Sequence, residues 1–144
     1  KEYCALVWGV PRPSTGRIET LVGRSARDRK KMSAAPPRGR PAVTNYVTEK
    51  ILGPVSLLRL HIETGRTHQI RVHLAHIGCP VVGDVVYGRR RPLALPAPAA
   101  RQMLHAARLV LSHPRTGAQL DFTAPVPADM AALEHALAAA SRGF

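Results

Sequence analysis

The side chains most capable of chemistry are concentrated between Glu63 and His76. These fourteen residues contain three histidines, two arginines and a glutamine, and no further carboxylate follows Glu63 until Asp84. Imidazoles can ligate metals or transfer protons, and guanidiniums near a helix start can bind anions. The members of the set are His68, His73, His76, Arg66, Arg71 and Gln69.

A metal site is disfavoured by the spacing of the potential ligands. Zinc sites on a helix favour histidines at positions i and i+4, with a further ligand elsewhere. Here His73 and His76 are three residues apart, and His68 lies five residues before His73. Cys79 has no second cysteine at Cys-x-x-Cys spacing. His73 and His76 are more simply interpreted as a partly buried histidine and a histidine at a helix end.

Nucleophilic catalysis also lacks support. Neither Cys4 nor Cys79 lies in an activated motif, and two unpatterned thiols are typical of a protein in a reducing cytosol. Ser112 and His113 are adjacent, so on a strand their side chains point to opposite faces. They are therefore a poor Ser–His pair.

The two arginines fit an anion site better. Backbone N–H groups at a helix start together with guanidiniums attract phosphate or carboxylate. Arg71 lies beside the apolar positions Ile70 and Leu74, where a partly desolvated guanidinium requires a negatively charged partner. A solvent-facing side chain remains an alternative for Arg66, and less so for Arg71.

Alternating and β-rich runs predict six strands around this segment. The first is closed by Gly9, and the second follows in a hairpin-like relation to it. The third and fourth form an antiparallel hairpin through Gly53-Pro54, and the last two are joined by the turn at Pro114–Gly117. The predicted spans are 3–8, 17–22, 42–52, 55–63, 104–112 and 119–123.

Two helices complete the predicted fold. The first follows Gly65, takes Thr67 as its N-cap and ends at Gly78. The second covers residues 129–140 and has an apolar stripe suited to packing on a sheet. The sequence therefore predicts an α+β protein, with a mixed, mostly antiparallel sheet and helices packed on it.

The charge favours a nucleic-acid partner, with an arginine bias inherited from nucleotide composition as the alternative. The formal net charge is +12, and 17 of the 21 basic residues are arginines, which bind phosphate in bidentate fashion. The segment 24–40, called the basic loop below, has seven basic residues and one acid, Asp28. It is either a solvated linker or an arm that binds phosphates. A second predicted loop after Tyr87 contains Arg89–Arg91. No apolar run approaches the ~20 residues of a membrane span.

The motifs resemble those of the RluA-type pseudouridine synthases. Glu-Thr-Gly-Arg-Thr-His-Gln-Ile-Arg-Val-His-Leu at 63–74 and Ile-Gly-Cys-Pro-Val-Val-Gly-Asp-Val-Val-Tyr-Gly at 77–88 are similar to the family signature. Residues 1–9 are similar to its Lys-x-Tyr-x-Ala-Leu-Val-x-Gly motif, and residues 101–109, 112–114 and 124–127 to its C-terminal part. Cys79 departs from the family, which commonly has histidine there.

The resemblance implies isomerisation of uridine in RNA, without a cofactor or metal. An aspartate drives cleavage of the glycosidic bond, and the uracil is rejoined through carbon 5. Tyr3 matches the active-site tyrosine that packs on the flipped base, and Arg71 matches the arginine that pairs with the catalytic aspartate.

The resemblance also implies which residues contact RNA. Arg66, His68 and Gln69 match positions near the pocket, and Arg29, Lys30 and Lys31 resemble the family's basic loop. Ribosomal RNA is the leading expected substrate and transfer RNA the second. A cytoplasmic monomer without membrane association is expected.

One element of the family is absent from these residues. The catalytic aspartate lies in a His-Arg-Leu-Asp-type motif upstream of the Lys-x-Tyr motif, and this chain begins at that lysine. Residues 1–144 are therefore expected to be a single domain, the C-terminal portion of a synthase catalytic domain, and inactive alone. A non-catalytic RNA-binding module on the same scaffold is the alternative. None of the four aspartates lies in the motif: Asp28, Asp84, Asp121 and Asp129.

Overall fold

The computed structural model describes residues 1–88 and 93–142, and shows a seven-stranded sheet with two helices. Every strand pairing within it is antiparallel, and the order across the sheet is β3-β2-β4-β5-β1-β6-β7. The predicted α+β class is confirmed. The elements are β1 (Glu2–Trp8), β2 (Thr15–Arg24), β3 (Met32–Ser33), β4 (Arg40–Leu52), β5 (Val55–Ile62), α1 (Gln69–His76), β6 (Leu104–Ser112), β7 (Gln119–Thr123) and α2 (Ala128–Arg142).

The two predicted hairpins are confirmed. Strands β4 and β5 meet at Leu52 and Val55, and Gly53 makes the turn with φ of 67°, in the left-handed region that favours glycine. Strands β6 and β7 are joined by a turn in which Gly117 has φ of 69°. Their bounds agree with the predicted 104–112 and 119–123 because turn residues punctuate both ends of each strand.

The predicted hairpin of the first two strands is wrong. Both edges of β1 are occupied, one by β5 and the other by β6. Strand β2 therefore adds to the far side of β4, where Thr15 is opposite Val47 and Val22 is opposite Arg40. The Pro-rich segment 10–14 carries the chain across the sheet between these positions.

The core is built on β1 and β5, and the helices contact opposite faces of the sheet. Ala5, Leu6 and Val7 of β1 are fully buried. Side chains of α1 reach Thr44 on one face. Residues directly opposite in antiparallel strands share a face, so Thr44 lies on the side that carries Tyr3. Helix α2 packs on the other side, where its Glu134 carboxylate accepts a hydrogen bond from Lys50 of β4 at 3.0 Å.

Two local features differ from the expectation. The basic loop is not wholly irregular, because Met32 and Ser33 pair with the end of β2 as the short strand β3. Phe122 on β7 is 55% exposed, although phenylalanine is among the residues most often buried. The loop predicted after Tyr87 falls partly outside the described residues, at Arg89–Arg91.

No helix among the described residues is long and apolar enough to cross a bilayer.

Candidate active-site wall and RNA-binding surface

The turn into α1 is held by Gln69, not by the predicted N-cap Thr67. Helix α1 begins at Gln69, and His68 is the N-cap in the left-handed conformation, with φ of 56° and no side-chain cap. The Gln69 Oε1 accepts hydrogen bonds from the Arg66 N–H at 3.0 Å and from the Thr64 hydroxyl at 2.7 Å. A side chain inside the helix thus accepts the free hydrogen-bond donors of the turn that precedes it.

Burial of Gln69 corrects the prediction that it contacts RNA. Its side chain belongs to a residue only 3% exposed, and Nε2 donates to the Val43 carbonyl and the Thr44 hydroxyl at 2.9 and 3.0 Å. All of its amide hydrogen-bonding groups are therefore directed at the protein. Gln69 therefore joins α1 to β4 and fixes the backbone of Arg66 in the turn before the helix.

His73 is a neutral histidine of the core. It is fully buried, with Nδ1 2.8 Å from the Thr44 hydroxyl and Nε2 2.9 Å from the Thr20 hydroxyl. Desolvation, and secondarily the nearby His76, lower its pKa to about 4. The ring is therefore uncharged at neutral pH and links α1 to β4 and β2.

The buried His73 predicts a loss of stability in mild acid. The unfolded chain takes up a proton near pH 6.5, whereas the folded chain does so only near pH 4. Stability present above pH 6.5 should fall by about 3 kcal/mol as pH drops between these values. In His73→Gln, the free energy of unfolding, measured with denaturant at each pH, should depend less steeply on pH across this range. His135→Gln, which changes an exposed histidine of α2, should retain the wild-type slope. Equal slopes in all three proteins would contradict the assignment.

Arg71 forms a bidentate ion pair with Asp84. The guanidinium Nε lies 2.7 Å from Oδ2 and Nη2 lies 2.9 Å from Oδ1. The Arg71 side chain is 13% exposed and the Asp84 side chain 0%. Hydrogen bonding to Asp84 raises the pKa of Arg71. Burial alone would raise the pKa of Asp84, but Arg71 and two backbone N–H groups hold that pKa below its ordinary value.

Asp84 also shapes the turn that follows it. Its Oδ1 accepts hydrogen bonds from the N–H groups of Val86 and Tyr87 at 2.9 and 3.0 Å. Gly83 has φ of 82°, and a Cβ there would lie 2.1 Å from the Arg101 carbonyl oxygen. A Cβ at Gly88 would lie 1.9 Å from the Asp84 carbonyl oxygen. Both glycines are therefore required by the turn that seats Asp84 under Arg71.

Tyr87 connects this ion pair to the basic loop. Its ring lies 5.1 Å from the Arg71 guanidinium carbon, a cation–π contact. Its hydroxyl accepts the Met32 N–H at 2.9 Å and lies 2.9 Å from the His68 Nδ1. Burial lowers the pKa of His68, which suits a neutral ring accepting the tyrosine proton. Sequence reasoning assigned no role to Asp84 or Tyr87, although both stand in the quoted motif at 77–88.

Tyr3 lies on the same sheet face as α1 but in a separate cavity. It is opposite Leu60 on one side and Ala106 on the other. The cavity beside it is about 240 Å³. Its lining is mainly apolar and does not include Arg71; it comprises Lys1, Tyr3, Ala106, Ala107, Arg108, Leu109, Phe122, Thr123 and Ala124.

The predicted RNA contacts other than Gln69 lie at or near the surface. Arg66 lines a cavity of about 520 Å³ at the end of β2. Arg29 lines a neighbouring cavity of about 230 Å³. Lys30 and Lys31 are exposed on a turn stabilised by Asp28, whose carboxylate accepts the Lys30 N–H at 3.0 Å. His68 is exposed beside Tyr87.

All four aspartates of the chain are engaged in structural contacts. Asp84 is paired with Arg71, and Asp28 holds the turn of the basic loop. Asp121 pairs with Arg108 at 2.6 Å, and Asp129 pairs with Arg101 at 2.8 Å. Within residues 1–88 and 93–142, no group of three or more histidine, cysteine, aspartate or glutamate side chains is arranged to hold a metal ion.

The chain belongs to the RNA pseudouridylate synthase family, whose sequence profile matches residues 1–76, and the RluA-type resemblance is confirmed. An uncharacterised RNA pseudouridine synthase of Chloroflexus aurantiacus is 55% identical over 131 residues, which are 90% of this chain and 40% of that protein. Ribosomal large subunit pseudouridine synthase D of Vibrio parahaemolyticus is 40% identical, over 95% of this chain and 44% of that protein.

Solved structures of two human proteins share the fold. RNA pseudouridylate synthase domain containing 4 aligns with a TM-score of 0.76 at 25% identity, over 95% of this chain and 61% of that one. RNA pseudouridylate synthase domain containing 1 aligns with a TM-score of 0.72 at 32% identity, over 87% of this chain and 54% of that one. The chain thus spans about two fifths of the curated relatives' length.

Proposed function

We propose that the complete protein isomerises uridine to pseudouridine in RNA, and that residues 1–144 form the C-terminal portion of its catalytic domain. The observation that carries the proposal is the partly buried Arg71 guanidinium, held by Asp84 and Tyr87 on the sheet face that also bears Tyr3. Membership of the family supplies the reaction class.

Arg71 has the geometry to hold a second carboxylate. Its Nε and Nη2 are used by Asp84, whereas Nη1 makes no hydrogen bond within the described part of the chain. A catalytic aspartate supplied from outside these 144 residues can accept from Nη1 and remain ionised beside the guanidinium. Asp84 is then the residue that orients Arg71, and Arg71 is the residue that orients the acid.

The reaction is an isomerisation in which the nucleotide loses the hydrogen on C5 and gains one on N1. The bond between N1 of uracil and C1′ of ribose breaks with participation of the aspartate. The uracil turns and a bond forms between C5 and C1′. The C5 hydrogen leaves as a proton and N1 ends protonated. No oxidant or reductant is consumed.

Tyr3 is proposed to pack on the flipped uracil. The base must leave its stack, which costs a few kcal/mol. Stacking on an aromatic ring returns about 1–3 kcal/mol per base, and the mainly apolar cavity beside Tyr3 is the proposed place for the base. The tyrosine hydroxyl is proposed to assist proton transfer.

The proposed substrate is ribosomal RNA, modified in the cytoplasm by a monomeric enzyme. Support comes from relatives in Vibrio named ribosomal large subunit pseudouridine synthase D, which are 39% to 41% identical to this chain. The net charge of +12 favours an RNA partner. Arg29, Lys30, Lys31, Arg66 and His68 remain the proposed RNA contacts.

The proposal is tested by mapping pseudouridine in ribosomal RNA from cells that lack the gene. At least one position should lose its pseudouridine, and the complete wild-type gene should restore it. The same gene carrying Tyr3→Ala should not restore it, provided that the variant accumulates to the wild-type level. An unchanged pseudouridine map in both ribosomal and transfer RNA would contradict the proposal.

A further inference from the structure

Four arginines line a cavity of about 520 Å³. It lies where the end of β2, the end of the basic loop and the turn before α1 meet. No acidic side chain among the described residues lines it. The lining residues are Val22, Gly23, Arg24, Met32, Arg38, Gly39, Arg40, Gly65, Arg66 and Thr67.

Two of these guanidiniums are anchored by the protein. The Arg66 Nε donates to the Pro41 carbonyl at 2.9 Å, and the Arg24 Nη1 donates to the Arg29 carbonyl at 2.9 Å. Each guanidinium carries five N–H donors, so both keep donors for a ligand. No ion pair within the described residues involves the four arginines of the cavity, Arg24, Arg38, Arg40 and Arg66.

Glycines allow these arginines to come together. A Cβ at Gly23 would lie 2.0 Å from the Arg38 carbonyl oxygen, and a Cβ at Gly39 would lie 2.8 Å from the Val22 carbonyl oxygen. The two segments therefore touch backbone to backbone. Their contact brings Arg24 of β2 beside Arg38 of the basic loop.

The cavity continues into a second one. Arg24 and Arg38 also line the neighbouring 230 Å³ cavity, together with Arg29. Five arginines thus surround two adjoining spaces. Convergence of like charges is unfavourable until anions enter, and an adjoining pair of anion sites suits consecutive phosphates on one strand.

The cavity is also connected to the candidate active site. Met32, which lines it, donates its backbone N–H to the hydroxyl of Tyr87, whose ring contacts Arg71. Arg66 and Thr67 line it from the turn that leads into α1. A nucleic-acid strand held here would lie next to the wall that carries Arg71.

We propose that Arg24, Arg38, Arg40 and Arg66 form a binding site for the phosphate backbone of the RNA substrate, extended by Arg29. The inference rests on the proposed function for the identity of the RNA. It assigns the backbone contacts to this arginine cluster and gives a positioning role to the loop contact between Met32 and Tyr87.

The test compares two double variants of the complete enzyme that lose the same charge. Arg38→Gln with Arg40→Gln removes two arginines of the cluster. Arg12→Gln with Arg115→Gln removes two exposed arginines outside it. The probe is a fluorescent, unmodified single-stranded RNA containing the uridine site, titrated at several salt concentrations.

The cluster variant should reduce the slope of log affinity against log salt by about 1.4, because each phosphate contact on single-stranded RNA contributes about 0.7. Its KM for RNA should rise while kcat stays near the wild-type value. The control should change the slope by less than about 0.4. Arg38→Lys with Arg40→Lys keeps both charges, so this variant should keep most of the salt slope.

Equal slope changes in both Gln variants would overturn the inference, because a diffuse positive field would then explain binding. An unchanged slope in the cluster variant would overturn it as well. Pseudouridine formation by the wild-type enzyme is followed in the same samples. If the wild type forms pseudouridine and the cluster variant keeps the wild-type salt slope, the phosphate site is refuted but the proposed reaction is not. If the cluster variant has a reduced salt slope but the wild type forms no pseudouridine, the phosphate site is supported and the proposed reaction is refuted.

Discussion

Arg71→Ala in the complete enzyme should lower kcat by roughly 10²- to 10³-fold, with a much smaller effect on the KM for RNA. The magnitude is that of removing one preorganised electrostatic group from an active site. In the proposed site, the catalytic aspartate then loses the partner that orients it. Pseudouridine formation under single-turnover conditions measures the effect on the chemical step directly.

The same substitution should also destabilise the fold, because it leaves the fully buried Asp84 without its cation. Breaking a buried ion pair by removing one partner costs about 3–5 kcal/mol. The catalytic effect must therefore be separated from unfolding. Denaturant unfolding of the variant shows whether the protein is folded at the assay temperature.

Two further variants separate the roles of the pair. Arg71→Ala with Asp84→Ala removes both charges, so it should recover part of the lost stability while kcat stays low. Arg71→Lys keeps a charge but cannot reproduce the bidentate contact at 2.7 and 2.9 Å, so its kcat should be intermediate. Near-normal kcat in a folded Arg71→Ala enzyme would show that Arg71 is structural only.

Much of the fold could be predicted because its signals are local. Alternation and turn residues gave β6 and β7 with correct bounds, and Gly53-Pro54 gave the hairpin of β4 and β5. The partner of β2 could not be predicted in this way. Its neighbour is decided by which strand edge remains unpaired after β5 and β6 cover β1, and that depends on the whole sheet.

The candidate site was predictable in residue types more than in contacts. A desolvated Arg71 required an anion, which the residues indicated correctly. The structure supplies that anion as Asp84, thirteen positions later, where Gly83 and Gly88 permit a tight turn. Sequence periodicity carries no information on such a contact across a loop, so neither Asp84 nor Tyr87 was singled out.

Polar type alone misled the interpretation of Gln69 and Thr67. A glutamine in a basic motif suggested a surface contact. Instead, its amide accepts a backbone N–H of the turn before α1 and donates to a backbone carbonyl of β4. Thr67 was expected to cap the helix, yet His68 occupies that position without a side-chain cap. Glutamine can do the work of a cap from inside the helix, and single-residue preferences do not reveal this.

The largest expected effect of all is the absence of catalysis by residues 1–144 alone. None of the four aspartates is free to act on a base beside Tyr3, because each is held by an arginine or a backbone N–H. Asp84 is the nearest to Arg71, but its side chain is completely inaccessible and both of its oxygens accept hydrogen bonds. The isolated chain is therefore expected to lack the catalytic acid.

The most direct measurement is release of tritium from RNA labelled at carbon 5 of uridine. The complete enzyme should release the label, because the C5 hydrogen leaves when the new carbon–carbon bond forms. Residues 1–144, folded by circular dichroism and able to bind the same RNA, should release none above the background without protein. Tritium release by the 144-residue chain itself would contradict the account, because the catalytic acid would then have to lie within it.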